Sequence, residues 1–330
     1  MNKIPDIRTK QIGIGLVELL IALVLALVLT MGIIEVFLAS KQAYKTQDAL
    51  SRVQENGRFA MEELSRNIRM AGFQGCGNMN TLTPNVVANG FPGGDFWSTN
   101  AVLGYEYDGS FDPAYVPTAP GAGTAPSPFS DTGVDTDVIS MIRVDDCDAY
   151  LNGPMGSDVG DISIDAANAC NIEVGDPLLI TDCTTTDLFL VTGVTSGGST
   201  QIAHGDTSNS TGRLSKPYGG DARIYKFVQV DYFIQQNNFG QLALFKRENG
   251  GTPRELVEGV EDIEVEYGED TGTDFFVDEY RDATAVTDWA KVSSVRPRVS
   301  LRSKDANITL DNQPLRQDMT STIGIRNRLP

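Results

Sequence analysis

Three aspartates spaced four apart, Asp270, Asp274 and Asp278, with Glu269 and Glu279 beside them, offer hard oxygen ligands of the kind Ca²⁺ takes. They lie in a Gly/Thr-containing stretch between two strand-like segments. The spacing is not that of an EF-hand, and Phe275 stands where that loop needs its glycine. A solvated acidic turn is the plainer reading, with Ca²⁺ as the weak metal candidate. The single histidine, His204, has Gly, Asp, Thr and Ser neighbours and reads as a surface-loop residue. No GxSxG, HExxH or phosphate-loop pattern occurs, so catalysis has no visible seat and an enzyme is not expected. Arg296, Arg298, Arg302, Arg326 and Arg328 could meet phosphate, but at alternating strand positions they are expected to balance nearby acidic residues instead.

The remaining chemically unusual residue is Glu18. It sits inside Lys10 to Ile34, KQIGIGLVELLIALVLALVLTMGII, where a membrane helix should carry no charge. An acidic group there costs up to ~2.5–3.5 kcal/mol at mid-bilayer, less near its edge, and is usually paired. Lys3, Arg8 and Lys10 precede the run and predict a cytoplasmic N-terminus with the bulk of the chain exported. Leu19 to Ile34 carries no charge at all and spans ~24 Å as a helix; counting from Ile14 brings it close to a hydrocarbon core.

Charge and cysteine usage narrow the class further. The formal net charge of -18 argues against a general nucleic-acid surface. Twelve acidic residues fall between Glu255 and Asp282 with Arg281 the sole basic one, whereas the tail from Val295 is net basic. Cys76, Cys147, Cys170 and Cys183 contain no CxxC pair, so two disulfides are expected in an exported domain, with three connectivities open.

The elements that must hold these residues are a long helix and a set of strands. Beyond the apolar run, Leu50, Val53, Ala60, Leu64 and Ile68 recur at helical spacing, and Gly72 supplies a stop. One helix over residues 14–70 would reach ~85 Å, with Gly57 its weak point at ~1 kcal/mol relative to Ala. From Gly75 to about Thr132 the abundance of Gly, Pro, Asn and Ser predicts loop. Strands are expected over 138–144, 177–181, 188–194, 223–234, 242–246, 260–267, 295–301 and 321–326, with a hairpin loop over 235–240. The fold class is α+β: a long N-terminal helix on a large antiparallel sheet domain.

A short basic leader, Gly13, then IGLVELLIALVLALVL resembles the class III signal of type IV prepilins and pseudopilins. QENGRFAMEELSRNIRMAGFQGCG, LVEGVEDIEVEYG, WAKVSSVRPRVSLRS and STIGIRNR resemble the PilW group of large minor pilins. The resemblance implies cleavage after Gly13 by a prepilin peptidase, methylation of the Ile14 amine, and a salt bridge from Glu18 to the N-terminal amine of a neighbouring pilin. Ile14 and Gly15 stand where the signal more usually has Phe and Thr. The implied organisation is a leader over 1–13, a membrane and filament-core half-helix over 14–39, an amphipathic half over 40–72 and an extracytoplasmic domain over 73–330. In that family Cys76 and a cysteine in a DC context recur, which pairs Cys76 with Cys183 and leaves Cys147 with Cys170. The family's DxDxDG-like run is degraded here to Asp270, Asp274 and Asp278. The implied partners are other minor pilins, the major pilin, the peptidase and the inner-membrane assembly machinery, and nucleic acid is not expected among them. The implied function is type IV pilus assembly, and through it twitching motility, adhesion or DNA uptake. The protein would pass from the inner membrane through the periplasm to the pilus. A type II secretion pseudopilin and a signal-anchored periplasmic enzyme or binding protein are the alternatives.

Overall fold

The computed structural model describes residues 15–76, 79, 82–89, 100–107, 111–112, 136–165, 170–272, 276–309, 311 and 313–329, without the side chains at 107, 111–112 and 146–148. Its first element is one helix, Leu16–Met70 (α1). The helix is continuous because no proline interrupts it and apolar residues dominate its first half. It stops at Gly72, whose φ of +72° is the left-handed cap that glycine adopts without strain. A Cβ at that position would also meet Met79 Sδ at 2.5 Å and Ala101 Cβ at 2.9 Å.

The largest sheet is centred on Arg223–Gln236. One edge of this strand pairs antiparallel with Val138–Tyr150 along most of its length. The other edge is divided: Arg223 to Lys226 pair with Pro177–Thr181, and Val230 to Gln236 pair with Leu242–Glu248. Beyond these lie Thr186–Leu190 and the short parallel Asn85–Val86 on one side, Arg254–Glu258 on the hairpin side, and Val102–Tyr107 with Phe111–Asp112 next to Val138–Tyr150. A second sheet runs Glu279–Arg281, Val260–Glu269, Val292–Arg302 and Arg316–Thr320, with Ile323–Gly324 also on Val292–Arg302. A third, small sheet is formed by Ile162–Asp165, Ser199–Ala203 and Gly193–Ser196.

Two apolar clusters follow this division. The main one joins the lower half of α1, the faces of both large sheets and residues such as Tyr232, Ile263 and Val299. A separate one, with Ile162, Ile164, Phe189, Ile202 and Tyr218, fills the small sheet and the adjoining end of the large one.

Several sequence expectations change. The stretch read as loop contains Val102–Tyr107, a largely buried strand of the main sheet, together with Asn85–Val86 and Phe111–Asp112. Its Gly104 hides the pattern, yet a Cβ there would fall 2.3 Å from the Tyr267 hydroxyl, so close approach dictates the residue. The expected strand over 188–194 breaks at 191–192 into two that serve different sheets. The expected strand over 321–326 is Ile323–Gly324 followed by a 3₁₀ turn, Arg326–Arg328. His204 is buried rather than on a surface loop: its Nε2 lies 2.9 Å from the Gly160 carbonyl and its ring lies against Phe189.

Candidate assembly interface

The two halves of α1 live in different surroundings. From Leu16 to Leu38, seventeen large apolar side chains are each more than half exposed, including every Leu, Ile and Val in that span. At ~1.5–3 kcal/mol for burying each such side chain, leaving them in water would cost tens of kcal/mol. The segment therefore needs an apolar solvent or partner helices. Among the described residues it is the one helix long and apolar enough to cross a membrane. Glu18 lies in its first turn, exposed among those side chains, where a carboxylate also complements the positive end of the helix dipole. Gly13 and Ile14, the expected processing site, lie outside the described residues.

The lower half is committed to its own domain. Ala49, Val53, Gly57, Ala60, Leu64 and Ile68 form the buried stripe. Leu50, expected in that stripe, is partly exposed, and Ala49 takes its place. Gly57 is not merely a weak point. A Cβ there would lie 2.5 Å from Met319 Sδ and 3.0 Å from Leu301 Cδ1, so glycine lets the helix approach Arg316–Thr320 and Val292–Arg302 closely. Polar contacts flank the stripe. The Gln42 amide donates to the Ile308 carbonyl at 2.8 Å and the Asn56 amide to that of Glu258 at 3.2 Å. At the far end the Asn327 amide donates to the Ala71 carbonyl at 3.0 Å.

A polar cluster that sequence reading missed fastens the helix to the central strands. Lys246 Nζ lies 3.1 Å from Glu63 Oε1, and the Tyr232 hydroxyl donates to the same oxygen at 3.0 Å. Asn67 Nδ2 donates to Tyr232 Oη at 2.7 Å, and Arg143 Nε donates to Asn67 Oδ1 at 3.0 Å. Burial pushes Glu63 up, but Lys246 and Tyr232 outweigh it and hold this carboxyl below the usual carboxylate range. The available signal was polar residues at helical spacing, Glu63 and Asn67, directly beside the apolar stripe.

The acidic segment and basic tail prove to be facing strands. Glu264 is opposite Arg298 and Glu266 opposite Arg296 in the register, with ion-pair distances of 3.0 and 3.1 Å. Glu261 takes both Arg302 and Arg316 at 3.1 and 2.9 Å. The arginines at 296, 298 and 302 thus do balance acidic residues, as expected. Arg328 is buried on its 3₁₀ turn, and desolvation lowers it to about 10.

Of the calcium candidates, Asp278 accepts hydrogen bonds from Thr271 N, Thr271 Oγ1 and Gly272 N, which lower its pKa and close the loop on itself. Glu269 turns inward, accepting from Asp288 N at 2.8 Å and from Thr287. Asp270 follows the strand Val260–Glu269, and Asp274 lies outside the described residues. No group of three or more metal-ligating side chains is found among the described residues. Cys76 and Cys183 are disulfide-bonded with Cα atoms 5.4 Å apart, as expected. Cys170 is also disulfide-bonded, while the Cys147 side chain lies outside the described residues.

No curated protein and no solved structure matches the chain significantly. Residues 231–327 match the PilW family model, described as Type IV Pilus-assembly protein W. The matched segment starts in the central strand, contains the Leu242–Glu248 hairpin partner and takes in the second sheet on which α1 is seated. The match, on a domain carrying a long and half-uncovered apolar helix, supports a PilW-type type IV pilus protein involved in pilus assembly.

Proposed function

We propose that the chain is a minor pilin, a structural subunit rather than an enzyme, that acts in the initiation or tip complex of a type IV pilus. The observation that carries this reading is the division of α1: its Leu16–Leu38 half is bare apolar surface, and its lower half is fixed to the PilW-matching sheet. A membrane holds the bare half first, with the N-terminus cytoplasmic and the sheet domain periplasmic. After removal of residues 1–13 and methylation of Ile14, helices of other minor pilins and the major pilin replace the lipid. Glu18 then pairs with the N-terminal amine of a neighbour, so that neither charge is left alone in an apolar surrounding. Through assembly the protein serves twitching motility, adhesion or DNA uptake.

The role of Glu18 is tested by Glu18→Ala in the native host. Membrane insertion should persist, because one carboxylate fewer favours the lipid, while incorporation and piliation are lost. Normal piliation in that variant would remove Glu18 from the mechanism.

A further inference from the structure

The far end of α1 carries positive charge that the domain itself does not use. Glu62, Arg66, Arg69 and Met70 of the helix, with Arg326 and Leu329 from the 3₁₀ turn and the residue after it, line an open groove of about 690 Å³. A second groove adjoins it on the other side of Arg66, sharing Arg66 and Met70 and adding Glu63, Arg143 and Lys246. Together the two hold five cations against two carboxylates, in a chain of net charge -18.

These cations are not equally committed. Arg143 is paired with Asp145, and Lys246 lies 3.1 Å from Glu63 and 2.9 Å from Glu248. Arg66 reaches Glu62 at 3.5 Å with both side chains about two-thirds exposed, and an exposed pair of that kind contributes little. Arg69 and Arg326 are exposed and have no hydrogen bond or ion pair to any described residue. In the second sheet, by contrast, Arg296, Arg298, Arg302 and Arg316 each have a carboxylate within 3.1 Å. Arg69 complements the negative end of the helix dipole, but that does not account for Arg326, which comes from a different element and lines the same groove. Like charges lining one groove repel, so folding of the domain does not favour the arrangement.

Place and size define the occupant. Arg66 lies ~42 Å along the helix beyond Leu38, out of reach of a bilayer that holds the bare half. Glu62 to Met70 covers ~12 Å of helix axis, the length of about four extended residues. A nucleic-acid duplex, with a charge every ~1.7 Å, would run on past so short a site over the surface of a strongly acidic chain, whereas a short carboxylate-bearing segment would not. We propose, resting on the minor-pilin reading, that the groove docks a short acidic segment of a neighbouring pilus subunit, whose carboxylates pair with Arg69 and Arg326 while an apolar side chain rests on Met70 and Leu329. Arginine suits such a site because its planar fork takes a carboxylate through two parallel hydrogen bonds. Packing of the bare half of α1 supplies the apolar attraction, and pairing at this end fixes the register of the domain against its neighbour.

The test is photo-crosslinking of the full chain in the native host, with a benzophenone amino acid in place of Ser65, which also lines the groove. The otherwise unaltered chain should give an adduct to another pilus subunit, located by mass spectrometry at a segment rich in Asp or Glu. Arg69→Glu with Arg326→Glu should lower the adduct yield at least about tenfold, because like charges across a contact repel. Arg58→Glu, exposed on the same helix outside the groove, should leave the yield within about twofold. If the double reversal does not fold, Arg69→Gln with Arg326→Gln should still lower the yield at least about threefold. An adduct to a pilus subunit that the double variant does not weaken, or one at a segment without acidic residues, overturns the groove and leaves the minor-pilin reading intact. No adduct, an adduct only within the chain, or an adduct to nucleic acid likewise overturns the proposal. Adducts only to proteins outside the pilus overturn both.

Discussion

Leu16–Leu38 and Ala49–Ile68 are parts of one uninterrupted helix, yet among the described residues one part is left exposed and the other is built into a core. Backbone and hydrogen bonding do not separate them. What differs is the width of the apolar face: the upper half carries apolar residues on every side with only Glu18 and Glu35 charged, whereas the lower half confines Val53, Ala60, Leu64 and Ile68 to one stripe with charges elsewhere. A stripe can be satisfied by one sheet. An all-round apolar surface needs lipid or several helices, so the sequence of α1 itself decides which half stays with the domain and which half is offered to the surroundings.

The strongest way to break the comparison is to release the lower half. Cys76, just past the helix end, is bonded to Cys183 across a separation of 107 residues. Removing both as Cys76→Ser with Cys183→Ser should cost about 4–5 kcal/mol by loop entropy, read as a fall in the denaturant midpoint. Leu64→Ala, at a fully buried position, should cost about 2–5 kcal/mol in the same measurement, while Leu25→Ala in the bare half should leave the domain within about 0.5 kcal/mol of wild type. Equal effects of the two leucine changes would erase the distinction between the halves.

Glu63→Gln should cost about 1–3 kcal/mol, because it leaves Lys246 with a weakened partner in a mostly buried place. The lowered Glu63 carboxyl contributes above its unfolded pKa, and that stability is lost as pH falls through its lowered folded value, so wild type and variant should converge only in acid below that value. Chemical denaturation across that range checks it. A small effect is also expected of Gly57→Ala. A helix-propensity gain of about 0.5–1 kcal/mol is offset by the displacement of Met319, for a net change under about 1 kcal/mol, whereas Gly57→Leu should be severely destabilising.

The helix and its end were legible in the sequence because their signals are local: an apolar run, a 3.6-residue period and Gly72. The central strands expected at 177–181, 223–234 and 242–246 were legible as β-branched and aromatic runs, the last two extending two residues further in the structure, to Gln236 and Glu248. Val102–Tyr107 was not, since Gly104 answers to the neighbouring Tyr267 rather than to any strand pattern. His204 was misplaced for a related reason, because its polar neighbours do not reveal that Phe189 covers its ring. The Glu63, Asn67, Tyr232 and Lys246 cluster joins residues more than 160 positions apart and had no local signature beyond two polar residues beside a stripe. The pairing of acidic segment with basic tail was legible, because opposite charge blocks at strand spacing have one simple arrangement.

The central claim is that the bare half of α1 becomes an assembly surface by processing just before it, which places an amine and Glu18 at the same end of the helix. Mass spectrometry of the mature N-terminus, from native membranes, tests it directly. The account predicts a chain that begins at Ile14, lacks residues 1–13 and carries one added methyl group. An intact N-terminus, or cleavage beyond the apolar run, would contradict it.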